Sequence, residues 1–226
     1  MRTGGVDDAS LENGMSETGP GALTDTIARA AEGDTSAWQD LVRTFRDRLR
    51  RMVSVRLDPR LRGRVDPSDL IQETFLDATG QLATYQSAPP LPFYLWLRQL
   101  AGTRIAKAHR HHLGTLCRDV RREVAIPGDS VPHASSAALA DHLAGREGRP
   151  SEAALQAELR AQLESLLEQL EPLDREVLAL RHFEQLSNCE AAQVLELTEA
   201  AASKRYIRAL ERLRERLAFS PKRDDL

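Results

Sequence analysis

Hydrophobic residues recur at intervals of three and four along most of this chain, which is the spacing of one face of an α-helix. One such series, in the first third of the sequence, consists of Trp38, Leu41, Phe45, Leu49 and Met52. Valine and isoleucine are few, and they never alternate with polar residues over the length of a strand. The pattern predicts an all-α fold.

Two further long helices are predicted between residues 66 and 113. Asp66 suits an N-cap, Pro67 suits the first helical position, and Asp69 favours the positive end of the helix. The apolar face of this helix is expected to contain Ile71, Phe75, Ala78 and Leu82. The sequence SAPPLP at 87–92 ends the helix, and the next one is predicted from FYLWLRQLAGTRIAKAHRHHL.

The helical pattern fails between 114 and 151, where proline, glycine, serine and alanine dominate. We interpret this stretch as a flexible linker with at most a short helix. The chain is therefore predicted to have two small helical domains, 23–113 and 152–218. Residues 1–22, rich in glycine, serine and acids, are expected to be a disordered leader, and 219–226 a tail.

Charge is distributed unevenly, although the net charge is only −3 and the pI about 6.1. Residues 43–64 hold nine Arg against two Asp, 98–122 hold seven Lys or Arg against one Asp, and 203–217 hold six Lys or Arg against two Glu. Separated basic stripes of this kind indicate a nucleic-acid partner. Two cysteines without ligand spacing and no long apolar run predict a cytoplasmic protein without a membrane span.

The last third of the chain carries a helix-turn-helix pattern. Ser187 and Glu190 form the sequence of a capping box, which starts a short helix at about 188–195. A three-residue turn, ELT, follows, and Thr198 can cap the next helix. Two helices joined by so tight a turn, with alanines where they cross, are typical of duplex DNA recognition.

The second helix of this motif is expected to face the duplex with one side. The candidate contacts are Ala201, Ser203, Lys204, Arg205 and Arg208. The small residues would allow entry into the major groove, and the basic ones would reach bases or phosphates. The alternative is a solvated basic face on an ordinary bundle helix.

Aromatic and basic residues are also concentrated before and within the helix that begins near 93. Four of the ten aromatic residues of the chain lie between Tyr85 and Trp96. Stacking and charge together are what single-stranded DNA binding needs, so the candidates are Tyr85, Phe93, Arg98, Arg104, Lys107 and Arg110. The alternative is that the aromatic residues are simply core.

An acidic and polar ridge lies on the helix that begins at 67 and includes Asp69, Gln72 and Glu73. From spacing alone, a solvated face is favoured over a docking site for a basic protein. No nucleophile, catalytic His or phosphate-binding loop accompanies these carboxylates, so we predict no enzyme and no cofactor. The HRHH sequence at 109–112 lacks further ligands at metal spacing, and no metal site is predicted.

Taken in order, several of these segments resemble a known family. DLIQETFLDA, FYLWLRQLAGTRI and LDREVLALRHFEQLSNCEAAQVLELTEAAASKRYIRALERLRERL are similar to conserved regions two and four of bacterial sigma factors. The similarity is to the extracytoplasmic-function type, which lacks region three. The form AAASKRYIRAL resembles the recognition helix of sigma factors from planctomycete-like bacteria.

The resemblance implies a role for each candidate surface. Asp69, Gln72 and Glu73 would dock the clamp helices of the largest subunit of the RNA polymerase core. The loop 85–92 and the helix 93–112 would open the minus-ten promoter element, and residues 200–208 would read the minus-thirty-five element as a duplex. Promoter DNA and an anti-sigma factor are the further partners implied, with no small-molecule substrate.

The chain departs from the family pattern at three places. The glycine usual in the helix-turn-helix turn is Glu196, alanines occupy 200–202, and Thr103 and Lys107 stand in the promoter-melting helix. Two other functions stay open at this point. One is a stand-alone helix-turn-helix regulator, which would dimerise on a palindromic operator. The other is a helical adaptor that does not bind DNA.

Overall fold

The computed structural model describes residues 20–113, 131–145 and 153–219 of the 226-residue chain. Within these ranges the chain forms nine α-helices and no β-strand, so the predicted all-α fold is confirmed. The helices are α1 (Pro20–Ala31), α2 (Thr35–Arg56), α3 (Pro67–Ser87), α4 (Phe93–Leu113), α5 (Ser136–Ala144), α6 (Ala153–Glu168), α7 (Pro172–Leu178), α8 (Asn188–Val194) and α9 (Glu199–Phe219).

The first four helices form one unit, in which α1, α3 and α4 pack around α2. Asp34 caps α2 by accepting hydrogen bonds from the backbone N–H groups of Ser36 and Ala37 at 2.9 and 3.1 Å. The predicted cap of α3 is confirmed, since Asp66 accepts from the N–H of Ser68 at 2.7 Å. The predicted apolar series of α2 faces the core, with Leu41, Phe45, Leu49 and Met52 buried and Trp38 at its edge.

The part of the predicted linker that the structure describes is packed into the protein. Helix α5 contacts α2 and α6, and Val131, Ala138 and Leu139 are buried. A methyl group added at Gly102 of α4 would lie 2.5 Å from Cγ2 of Val131, so only glycine allows this approach. Sequence pattern did not reveal the packing because alanine-rich segments look alike in tethers and in tightly packed helices.

The last four helices form a second unit, in which α9 packs against α7 and α8. Helix α7 runs directly into a π-helical segment, Ala179–Phe183, whose residues Ala179 and Leu180 are buried. A continuous hydrophobic core extends from the first unit through α5 into this one. The two predicted domains are therefore in contact, and the described part of the linker packs between them.

The predicted leader and tail fall almost entirely on residues outside the described ranges. Helix α1 begins at Pro20, inside the stretch expected to be a leader, and α9 extends to Phe219, the first residue of the expected tail. Within the described ranges, no helix combines the length and the apolar character needed to cross a bilayer.

Candidate nucleic-acid interface

The first helix of the helix-turn-helix motif is held by the predicted capping box, which the structure confirms. Ser187 Oγ accepts from the N–H of Glu190 at 3.1 Å, and the N–H of Ser187 donates to Glu190 Oε2 at 2.9 Å. Helix α8 then runs for two turns and buries Ala191 and Ala192. The cap fixes where α8 starts and therefore where α9 can follow it.

The turn between α8 and α9 adopts a conformation that usually requires glycine. Glu196 has φ of 52°, in the left-handed region that is costly for a residue with a Cβ. Thr198 then caps α9, because its Oγ1 accepts from the N–H of Ala201 at 3.2 Å. Glu196 thus takes the left-handed conformation that glycine adopts without cost.

One face of helix α9 packs against the other helices of the second unit. Ala202 and Ala209 are fully buried at 0% exposure, and Tyr206 lies partly buried between them. Small side chains at these positions let α9 lie close to its neighbours. Their burial fixes which residues of the helix point outward.

Two arginines at the edge of this buried face pair with one carboxylate of α7. Asp174 is only 3% exposed; its Oδ1 accepts from Arg205 Nη1 at 2.6 Å, and its Oδ2 pairs with Arg212. Arg205 Nη1 also lies 3.3 Å from Glu171 Oε2. Arg205, predicted to contact DNA, is thus already engaged within the protein, and Asp174 is a residue that the sequence reasoning missed.

The other predicted contacts on α9 remain accessible. Lys204 and Arg208 are exposed on the outward side, while Ala201 and Ser203 are partly exposed near the N-terminal end. Exposed cations beside small side chains, one turn into a capped helix, form a surface that can approach a phosphate backbone closely.

Three of the six residues predicted for the second DNA surface, Tyr85, Phe93 and Arg98, are buried, whereas most of the loop before α4 is exposed. Tyr85 stacks on Trp96 with 4.5 Å between ring centroids, and Phe93 packs against both rings. Burial raises the pKa of the Tyr85 hydroxyl, which donates to the carbonyl of Leu91 at 2.9 Å. In this conformation the rings of Tyr85 and Phe93 belong to the core, as the alternative interpretation expected.

Arg98, another residue predicted to contact DNA, lies in a buried ionic cluster that joins the two units. The cluster contains Arg56 of α2, Arg98 of α4, Glu176 and Glu184, and no side chain in it is more than 2% exposed. Arg56 Nε donates to Glu184 Oε1 at 2.6 Å, and Arg98 Nε donates to Glu184 Oε2 at 3.0 Å. Arg98 is therefore unavailable to DNA here, because it balances a buried carboxylate.

The described part of the linker completes this cluster. Arg56 Nη1 donates to the carbonyl of Pro132 at 2.6 Å, and the N–H of Ala134 donates to Glu176 Oε2 at 3.2 Å. Burial alone raises the pKa of the Glu176 carboxyl, but the charge of Arg56 and the hydrogen bonds outweigh it and hold that pKa well below its usual range. Glu176 is thus a buried carboxylate kept ionised by its partners.

The remaining predicted residues of α4 lie toward solvent. Arg104 pairs with Glu73 at 2.8 Å and with Asp77 at 2.5 Å, and its hydrogen bond to Asp77 lowers the pKa of the Asp77 carboxyl. Lys107 and Arg110 are exposed on the outer side of the helix. Of the six residues predicted for single-stranded DNA, the structure therefore leaves these two both exposed and without a described ion pair.

The predicted acidic ridge is exposed and continues into an apolar groove. Asp69, Gln72 and Glu73 lie on the outer face of α3, and Leu76, one turn further, is 65% exposed. Leu76 and Gln72 line a groove between α2 and α3 together with Trp38, Val42, Arg46, Ser68, Ile71, Phe75 and Thr79. A ridge with carboxylates and an exposed leucine suits a protein partner with both basic and apolar residues.

Comparison with known proteins gives results for both units. A family model described as Sigma-70, region 4, matches residues 160–213, which span α7, α8 and most of α9. The ECF RNA polymerase sigma factor SigD of Mycobacterium tuberculosis is 28% identical over 209 residues, covering 92% of this chain and 90% of SigD. SigD of Mycobacterium bovis matches equally, with the same identity and coverage.

Among solved structures, CnrH in complex with the cytosolic domain of CnrY is similar to this chain. The TM-score is 0.51 at 24% sequence identity, with 88% of this chain and 99% of that chain covered. This likeness concerns the fold.

Proposed function

We propose that this chain is a sigma factor of the extracytoplasmic-function type, which binds the RNA polymerase core and directs it to promoter DNA. The observation that carries the proposal is the capped helix-turn-helix of α8 and α9, with Lys204 and Arg208 exposed on its outer side. It lies within the residues that match region 4. The chain thereby supplies the promoter address, and the polymerase supplies the catalysis.

Helix α9 is proposed to read the minus-thirty-five element as a duplex. The small side chains of exposed Ala200 and partly exposed Ala201 keep the entrance to the groove clear, and Lys204 and Arg208 reach phosphates or base edges. Arg205 acts within the protein, where its pair with Asp174 holds α9 to α7. The burial of Ala202 and Ala209 already turns Lys204 and Arg208 outward.

The first unit is proposed to carry the polymerase contact and the minus-ten contact. The ridge of Asp69, Gln72 and Glu73, extended by Leu76, docks the polymerase core. Lys107 and Arg110 are the exposed cations of α4 and would follow the backbone of the opened strand. The similarity to sigma factors supports this assignment of the two contacts to the first unit. The proposed site of action is the cytoplasm.

A regulator that covers these surfaces would silence the protein. An anti-sigma factor is the partner of this kind that we propose, because both the acidic ridge with its apolar groove and the basic face of α9 are open to a competing protein. Covering either surface would suffice, since the protein must hold the polymerase core and the promoter at the same time.

Run-off transcription with purified sigma-free core polymerase, on genomic fragments from the source organism, tests the proposal directly. We expect discrete transcripts that appear only when this protein is added, and their start sites give the promoter sequences. Tight duplex binding without polymerase, together with no transcripts, would instead identify a stand-alone helix-turn-helix regulator.

A further inference from the structure

The outward strip of α9 differs from the one that sequence spacing suggested. Buried Ala202 and Ala209, together with the pairs that Arg205 and Arg212 form with Asp174, define the inward side of the helix. The residues that the structure leaves exposed over the first three turns are Glu199, Ala200, Lys204, Ile207 and Arg208. A large apolar residue, Ile207, is thus part of the proposed reading surface, and sequence reasoning had not assigned it a role.

Ile207 stands out among the exposed apolar residues of this helix. It is 51% exposed and lies one turn after Lys204 and directly before Arg208. Leu210 and Leu217 are also exposed, at 38% and 43%, but at helical spacing they fall nearer to Tyr206 and Leu213 at the core boundary. Single exposed apolar residues are common, so the position of Ile207 between two outward cations is what matters.

The chemistry of the major groove gives such a residue one natural partner. Hydrogen-bond donors and acceptors line the groove at every base pair, and only thymine presents an apolar group there, its C5-methyl. A branched aliphatic side chain cannot satisfy a donor or an acceptor, but it can bury that methyl group. The flanking cations would hold the helix on the backbone at the required depth.

We infer that Ile207 contacts the C5-methyl group of a thymine in the duplex element that α9 reads, and so helps to determine which promoters are used. The inference rests on the proposed function. It adds a specificity-determining residue to a surface whose other exposed side chains are charged or small.

Replacing single thymines by uracil tests the inference, because uracil pairs identically and lacks only the methyl group. Promoters recovered by run-off transcription are bound by polymerase core reconstituted with the wild-type chain or with Ile207→Ala. We expect one position in the upstream element where uracil weakens wild-type binding about three- to fivefold, which is the value of one buried methyl group. At the same position, uracil should weaken the binding of the Ile207→Ala protein less than about twofold. Leu210→Ala is the matched control and should keep the wild-type sensitivity.

The possible results separate the inference from the proposed function. Equal sensitivity of wild type and Ile207→Ala at every thymine, or no sensitivity at any, would overturn the inference while promoter binding itself persists. Failure of the reconstituted polymerase to bind any promoter would overturn the proposed function instead. The Ile207→Ala chain should melt at the wild-type temperature, since its side chain lies at the surface.

Discussion

Helices α4 and α9 are both 21 residues long and both carry basic residues through most of their length, but they use those residues differently. In α4, Arg98 is buried at 2% exposure and Arg104 is paired with the acidic side of α3. In α9, Lys204 and Arg208 remain exposed on one face. The position of a helix in the packing, central or terminal, decides whether its cations stabilise the fold or remain available to a partner.

The same comparison holds for the carboxylates that meet these arginines. Glu184 and Glu176 are buried and join the two units, whereas Asp174 joins two helices within one unit and is paired with half-exposed arginines. Removing one partner of a buried pair is strongly destabilising, because the other charge is then left buried without compensation. A partly exposed pair is weakened by water and salt.

Removal of a buried arginine of α4 should have the largest effect on stability. Arg98→Ala should lower the free energy of unfolding by about 3–5 kcal/mol, because Glu184 loses one of its two partners in a dry environment. Urea denaturation followed by circular dichroism measures the change. Arg110→Ala, on the exposed side of the same helix, is the control and should stay within about 0.5 kcal/mol of wild type. Equal effects would mean that the cluster is not what joins the units.

Acid should weaken the same cluster. The pKa of Glu176 is lowered in the folded chain, so its contribution is fully present above the ordinary value of 4.5 and is lost as the pH falls below it. Urea midpoints measured from pH 7 down to pH 3 should therefore decline more steeply for wild type than for Glu176→Gln. The exposed Glu211→Gln of α9 should follow the wild-type profile, and a Glu176→Gln profile identical to wild type would contradict the account.

A smaller effect is expected at the turn that positions α9. Glu196→Gly should raise the free energy of unfolding by about 1 kcal/mol, because glycine adopts a φ of 52° without the cost that a Cβ imposes. Thermal melting measures the gain. Glu196→Ala, which keeps the Cβ, should show no comparable gain, and a gain as large as that of glycine would assign the effect to the charge instead of the backbone.

Much of the fold could be predicted from the sequence, because the evidence for it is local. The cap at Asp66, the capping box of Ser187 and Glu190, and the apolar series of α2 all depend on residues close together in the chain. The turn at Glu196 was recognisable because glycine was expected at that position. Each of these features appears in the structure where the spacing placed it.

The candidate site could be predicted only in part, because burial depends on distant segments. Arg98 lies three residues after Leu95 and seven before Ile105, within an apolar series, and this spacing was the available signal that it points inward. Its partner Glu184 is 86 residues away, and no local pattern connects them. The packing of α5 was missed for the same reason, and so were the ion pairs that Asp174 forms with Arg205 and Arg212.

The salt dependence of promoter binding distinguishes Arg205 from Arg208, which lie in the same helix but are assigned opposite roles. Polymerase core reconstituted with wild type, Arg208→Ala or Arg205→Ala is titrated on one promoter at several salt concentrations. The account predicts that Arg208→Ala reduces the slope of log affinity against log salt by about 1, while Arg205→Ala leaves it near the wild-type value. Equal reductions for both variants, or a larger one for Arg205→Ala, would contradict the account.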